Sequence, residues 1–320
     1  MNDFRFYSPE DIICSNLQDV YARMNMLCEQ ELAHLQELAA EITKDLEDDD
    51  ELAYSLADLL PQELHAPIRA LPQNEALLEG AYPLRKTQQA VWLCMEICRR
   101  LAAKKSFGIA SFFDDAEEEA ATAPSRVVYQ RNSYADSAYL LFASFLGDSR
   151  AIYSHSFPTA CEDVYNGVCQ YCILPLENSS EGQLSSFVRL IDRYGLKIAA
   201  TCDVATTDGS RVTRFALLRR SVLPILSNTD RELFFEFSAS MNTEPGIAAV
   251  LIAAELCKLT LCRMDSRPRQ ATEEESGVTR FVFRIGHGNL AAFLLYLSAY
   301  VPTAEYIGIY PHLSQEKNNK

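Results

Sequence analysis

The chain has 320 residues, 48% hydrophobic and 23% charged, a composition that suits a folded protein of two or three domains. Its net charge of −15 argues against a nucleic-acid partner, since such a partner would need a Lys/Arg-rich face to neutralise phosphates. A small anionic substrate is not excluded, because local cations and helix N-termini decide that.

The N-terminal Met1-Asn2-Asp3-Phe4-Arg5 has no features of a secretion signal, and no apolar run approaches membrane-spanning length, so a cytoplasmic protein without membrane contact is expected. From Leu17 to Leu46 apolar residues recur at three and four (Val20, Met24, Leu27, Leu32, Leu35, Leu38, Ile42), which predicts one long amphipathic helix. A second helical piece is expected over Glu51–Leu60, a loop punctuated by Pro61, Pro67 and Pro72, and a third helix over Lys86–Lys104. Asp45–Glu51 and Asp114–Glu119 are acidic runs that read as solvated helix ends or linkers. Residues 106–125 form the expected linker.

An α/β unit then begins at Arg126. Arg126–Gln130 reads as a strand, Asp136–Leu146 as a helix, Ala151–Ser154 as a strand and Thr159–Val168 as a helix. Tyr171–Glu177 is an apolar run that reads as a buried strand, with Pro175 ending it or marking an edge. Glu177-Asn178-Ser179-Ser180-Glu181-Gly182 follows as a polar turn, and Gln183–Ile191 has helical spacing. A strand, a polar turn and a helix start in succession make a candidate anion site, because free backbone N–H groups converge there. Residues 232–311 read as βαββαβ, with strands at Leu233–Phe237, Leu259–Met264, Val278–Ile285 and Tyr306–Ile309. Its helices start after Pro245-Gly246 and span Leu290–Tyr300, and that order is the ferredoxin-like plan.

Ten cysteines are scattered. Cys169-x-x-Cys172 has the spacing of a metal or redox pair but no second pair matches it, and buried small hydrophobes are the simpler reading. The five histidines form no ligand cluster, so neither a metal nor a cofactor is expected.

Four short stretches carry a resemblance. Glu177–Gly182 resembles the Glu-Asn-Ser-x-x-Gly motif of prephenate dehydratases, and Thr213-Arg214-Phe215 their Thr-Arg-Phe strand. Asp265-Ser266-Arg267-Pro268 and Gly308-Ile309-Tyr310-Pro311 resemble the Glu-Ser-Arg-Pro and Gly-Ser-Tyr-Pro landmarks of the ACT regulatory domain that follows in that family. The four occur in the family's order across roughly residues 126–312. The resemblance implies a multidomain α+β and α/β fold. A helical domain over 1–105 precedes a single prephenate dehydratase-like (periplasmic-binding-like) lobe over 126–220, and a ferredoxin-like ACT domain follows over 230–312.

It also implies conversion of prephenate, or binding of a related small anion, with phenylalanine as effector and pairing of ACT domains into a homodimer. By position, Thr213 matches the threonine that assists departure of the ring hydroxyl, and Asn178 and Ser179 match residues that hold substrate. Glu177, Gly182, Ser133, Arg214 and Phe215 fall in the substrate-binding stretches. Gly246, Ile247 and Ala248 match a Gly-Ala-Leu turn that binds phenylalanine together with Asp265, Ser266, Arg267 and Pro268.

The chain departs from the family in three places. The family's glycine-rich turn after the first strand is replaced by Arg131-Asn132-Ser133-Tyr134-Ala135, without glycine. Only 30 residues lie between Gly182 and Thr213, where the family places a whole second lobe. Lys258-Leu259-Thr260-Leu261 stands where the family has Gly-Ile-Asn-Leu. The N-terminal helices match the size and plan of a chorismate mutase domain, but the long helix offers only Arg23 and Lys44 as cations, which favours a structural or dimerising role. Two readings stay open: a divergent enzyme, and a catalytically silent member that binds phenylalanine or a partner.

Overall fold

In the computed structural model, the described residues are 9–47, 83–103, 109–113, 124–206, 208–222, 231–241, 246–267 and 277–314. The chain divides into two units, residues 1–106 and 107–320. In the first, α1 (Pro9–Glu47) contains the helix expected from Leu17 and starts well before it, while α2 (Pro83–Ala102) starts slightly before the helix expected over Lys86–Lys104 and stops short of its end. The helical piece expected at 51–60 and the proline loop after it lie outside the described residues. The core holds Ala39 and Thr43 of α1 with Val91, Leu93, Met95, Ile97 and Leu101 of α2. Thr43 is tolerated there because its hydroxyl donates to the Ala39 carbonyl at 2.8 Å. Leu17, Val20, Tyr21 and Leu27 stay about half exposed, so the apolar stripe is covered only toward its C-terminal end.

The second unit is built on one mixed sheet. A short 3-10 turn at Ile109–Phe112 precedes β1 (Ser125–Gln130), α3 (Ser133–Leu146), β2 (Ser149–Ser154), α4 (Phe157–Tyr165) and β3 (Tyr171–Asn178). The chain continues through β4 (Gly182–Gln183), α5 (Ser185–Tyr194), β5 (Lys197–Ala205) and β6 (Val212–Arg219). It ends with β7 (Leu233–Ser240), α6 (Gly246–Leu256), β8 (Thr260–Arg267), β9 (Val278–Arg284), α7 (Leu290–Tyr300) and β10 (Glu305–Leu313). The strand order is β2-β1-β3-β6-β5-β10-β7-β9-β8, with β4 attached to β3. β1 pairs in parallel with β2 and β3, while β3-β6-β5 and β10-β7-β9-β8 are antiparallel ladders joined by the parallel pair β5-β10.

Side-chain caps fix the helix starts. Asn132 Oδ1 accepts from the Ala135 amide at 2.8 Å, Ser156 Oγ from Thr159 at 3.2 Å and Asn289 Oδ1 from Ala292 at 3.1 Å. The turn into α3 therefore needs no glycine, since Asn132 caps it in an extended conformation. Helix α3 covers one face of the first half-sheet through Ala135, Ala138 and Phe142 against Val127, Ile173, Phe215 and Leu217. The other face carries Cys161 and Val164 of α4 and Ile191 of α5 against Val128, Leu174, Ala216 and Leu218. Cys161, Cys169 and Cys172 lie together in that second cluster as free thiols. In the second half, Phe235, Phe237, Phe281 and Phe283 line the face that packs on Phe293 of α7, with ring centroids 5.0 Å apart for Phe237–Phe281 and 5.6 Å for Phe283–Phe293.

Three features differ from the sequence expectation. β3 does not stop at Pro175; the β3–β6 ladder shifts register between Pro175 and Glu177, and β1 pairs only with Tyr171 and Cys172. A proline lacking its N–H is tolerated beside such an irregularity. No element was expected between Ile191 and Thr213, yet nine residues after Gly195 form β5 near the middle of the sheet. β10 reaches Leu313, beyond the expected end at Ile309, and its added residues pair with β5 as His312↔Thr201 and Leu313↔Cys202.

Candidate functional site

The polar turn after β3 is a tight hairpin. Asn178 pairs with Gly182 and Glu177 with Gln183, and Gly182 takes the left-handed conformation (φ 71°) that closes the turn. Asn178 Oδ1 accepts from the Ser180 amide at 2.9 Å, and the Ser179 amide and hydroxyl bind the carbonyl and amide of Val212 at 2.9 and 3.0 Å. The turn amides expected to converge on an anion are thus largely engaged within the protein. A short β4 also separates the turn from α5, whose N-cap Leu184 supplies no side-chain bond.

β3 and β6 bring the two sequence stretches together. Asn178 lies opposite Thr213 and Glu177 opposite Arg214. Alternation along the strands then splits the expected set. Thr213 shares a face with Phe215, on the α3 side, and Ser133 stands exposed at the first residue of α3. Glu177 and Arg214 point to the opposite face.

That opposite face is ionic. Arg214 grips Asp203 with Nε at 2.8 Å and Nη2 at 3.0 Å, and its Nη1 is 3.5 Å from Glu177. Hydrogen bonding to Asp203 holds the Arg214 guanidinium more firmly protonated than usual. His312 stands beside them, Nδ1 3.1 Å from the Thr201 hydroxyl and Nε2 3.6 Å from Asp203. Burial lowers the His312 pKa; Asp203 opposes that shift and Arg214 adds to it.

The ions continue into the second half-sheet. Arg263 of β8 pairs with Glu177 and, through Nε at 2.9 Å, with Asp265. Deeper still, Glu236 of β7 is 1% exposed and Arg280 of β9 is 6% exposed; they pair directly, and the Tyr310 hydroxyl donates to Glu236. Burial works against the Arg280 charge but Glu236 more than offsets it, while burial and then Glu236 push Tyr310 well above its ordinary pKa. Asp192 of α5 lies 4.0 Å from Arg280 Nη1.

The residues expected to hold phenylalanine do not all meet. Gly246 (φ 70°), Ile247 and Ala248 open α6, which lies beside α7 on the aromatic side. Asp265 faces the ionic side with Arg263, and Ser266 bonds Thr279 at 3.1 Å on the adjoining strand. Arg267 ends β8, and Pro268 lies outside the described residues.

Sequence reading missed Asp203, Glu236, Arg263, Arg280 and His312. A signal existed for two of them. Glu236 is the lone charge in Leu-Phe-Phe-Glu-Phe and Arg280 the lone interior charge in Val-Thr-Arg-Phe-Val-Phe, and opposite charges inside apolar strands must pair. Among the described residues no group of three or more His, Cys, Asp or Glu is arranged to hold a metal, and no helix is long and apolar enough to cross a membrane.

No protein-family model matches the chain, and no curated protein matches it. Several solved structures do. A prephenate dehydratase from Streptococcus mutans superposes with a TM-score of 0.47 at 17% identity, covering 59% of this chain and 99% of that one. GqqA, described as a novel type of quorum-quenching acylase, gives 0.44 at 18% over 58% and 94%. A prephenate dehydratase from Arthrobacter aurescens, solved in complex with L-Phe, gives 0.45 at 13% over 58% and 90%. These proteins differ in described activity, and a likeness at this level assigns none of them to the chain.

Proposed function

We propose that the chain is a prephenate dehydratase-type protein of phenylalanine biosynthesis, with a lobe at 126–220, a phenylalanine-sensing ACT domain at 230–312 and a helical domain at 1–105. One observation carries the reading: the register that sets Asn178 against Thr213 and Glu177 against Arg214. The first of these pairs supports a shared site for Asn178 and Thr213, while Glu177 and Arg214 face the other side of the sheet. In the reaction the bond to the ring carboxylate breaks, carbon dioxide leaves, and its electron pair completes the aromatic ring. The ring hydroxyl takes up a proton from solvent and departs as water, and phenylpyruvate remains. In this reading the Thr213 hydroxyl donates a hydrogen bond to the departing group, and Asn178 and Ser179 orient the substrate. The test is phenylpyruvate formation from prephenate by the purified protein, abolished by Thr213→Ala.

A second reading is favoured by the bonds that Asn178 and Ser179 already make to Ser180 and Val212. Substrate must displace those bonds, and the family's second cleft wall has no counterpart between Gly182 and Thr213. In this reading the protein binds phenylalanine without turnover. Ligand at one hundredfold its Kd then stabilises the fold by about 2.7 kcal/mol. Gly246→Val, which forces a β-branched residue into a left-handed conformation, removes the melting shift, and Thr213→Ala leaves it intact. Both readings carry pairing of residues 232–311 into a homodimer, checked by sedimentation at micromolar concentration.

A further inference from the structure

Arg263 lies on β8 and Glu177 on β3. Five strands stand between them in the sheet, namely β6, β5, β10, β7 and β9. At about 4.8 Å per strand a flat sheet would hold the two roughly 29 Å apart. They are instead in direct ion contact, and a second contact, Gln183 Nε2 to Asp265 Oδ2 at 3.4 Å, joins β4 to β8 beside them. Asp192 of α5 and Arg280 of β9 approach across the same gap at 4.0 Å. The sheet therefore rolls until the β3–β4 hairpin and α5 overlie its far strands. Backbone ladders join every neighbour along the sheet, whereas this closure is made by side chains.

We propose that Arg263 is a latch fastening the β3–β4 hairpin to strand β8, and that releasing it is how the two ends of the molecule communicate. The hairpin carries Glu177, Asn178 and Ser179; β8 carries Asp265. Arg263 holds Glu177 and Asp265 at once, so a ligand that engages the Asp265 carboxylate through an ammonium group competes for the arginine's anchor. Once Arg263 swings free, Glu177 loses one of its two arginine partners and the hairpin keeps only the long Gln183–Asp265 contact to β8. By linkage, anything that fixes Glu177 must in turn change affinity at Asp265. The identity of the ligands rests on the proposed function above; the latch itself rests on the contacts alone.

Amide hydrogen exchange on the full chain separates the two. Arg263→Gln should speed exchange of residues 176–184 by about tenfold while β1 and α3 keep their protection. Arg263→Lys, which retains the charge without the fork, should fall between wild type and Arg263→Gln and guards against a variant that fails to fold. Unchanged protection of the hairpin in both variants overturns the latch. Saturating L-phenylalanine should loosen the same residues in wild type and not in Asp265→Ala. If Arg263→Gln frees the hairpin but phenylalanine leaves it untouched, the latch stands and the phenylalanine-sensing reading falls.

Discussion

Glu236 and Arg280 are the interior charges of two mainly apolar strands, and each is tolerated because of the other. Removing a single member leaves a buried charge with only a distant opposite charge, Asp192 for Arg280 or Arg263 for Glu236, each at 4.0 Å. Glu236→Gln should therefore cost about 3–5 kcal/mol in urea unfolding, whereas the joint replacement Glu236→Leu with Arg280→Met should cost far less. A near-zero loss for the single change would mean that water reaches the pair. His312 poses the opposite problem. Its folded pKa lies below the ordinary value near 6.5, so as pH falls through that value the unfolded chain takes up a proton that the folded chain refuses. Stability should drop with pH across that interval, down to the folded pKa. His312→Gln should flatten that part of the profile relative to wild type, as read from melting temperatures between pH 5 and 7.

At the scale of elements, Gly308 shows how tightly β10 approaches β5. A Cβ there would sit 2.4 Å from the Ile198 carbonyl oxygen, and a backbone atom cannot swing aside. Gly308→Ala should cost about 1–3 kcal/mol and loosen the β5–β10 pair, measurable as faster exchange of the Thr201 and Cys202 amides. A loss no larger than a few tenths of a kcal/mol would show that the two strands part easily. Gly308 was visible in the sequence as part of a landmark tetrapeptide, but its neighbour was not. Local patterns reported the elements well where a long run is apolar almost throughout, as in Leu290–Tyr300, whose expected and observed bounds coincide. They failed at β5, whose Lys-Ile-Ala-Ala-Thr-Cys-Asp-Val-Ala mixes small and polar residues and is stabilised by neighbours on both sides. The Asn178–Thr213 pairing was suggested only by the resemblance, which assigns both residues to one substrate site; in the fold Asn178 closes β3 and Thr213 lies at the start of β6. The ionic face was not, because its members come from β3, β5, β6, β7, β8, β9 and β10 and no spacing along the chain announces that convergence.

For the molecule as a whole, β10 occupies an interior position with β5 on one side and β7 on the other. Removing residues 305–320 would expose β7 along most of its length and β5 at Thr201 and Cys202. Such a truncation should abolish cooperative unfolding of residues 107–304 and lose near-ultraviolet circular dichroism, not merely lower the melting temperature. A truncated chain that still melts in one sharp transition would mean that the two halves fold independently.

The position of β10 also governs how the chain reaches this state. Thr201 and His312 are 111 residues apart, yet they are register partners. While the chain emerges from a ribosome, β5 has one edge open until its partner 111 residues later has been made. At about 5–20 residues per second that wait lasts several seconds, during which an unpaired strand is free to pair wrongly or with another chain. Loop closure over such a span is entropically demanding, so the last step of folding should be slow and sensitive to protein concentration. Refolding yield, more than equilibrium stability, is where the cost of that late strand will be felt.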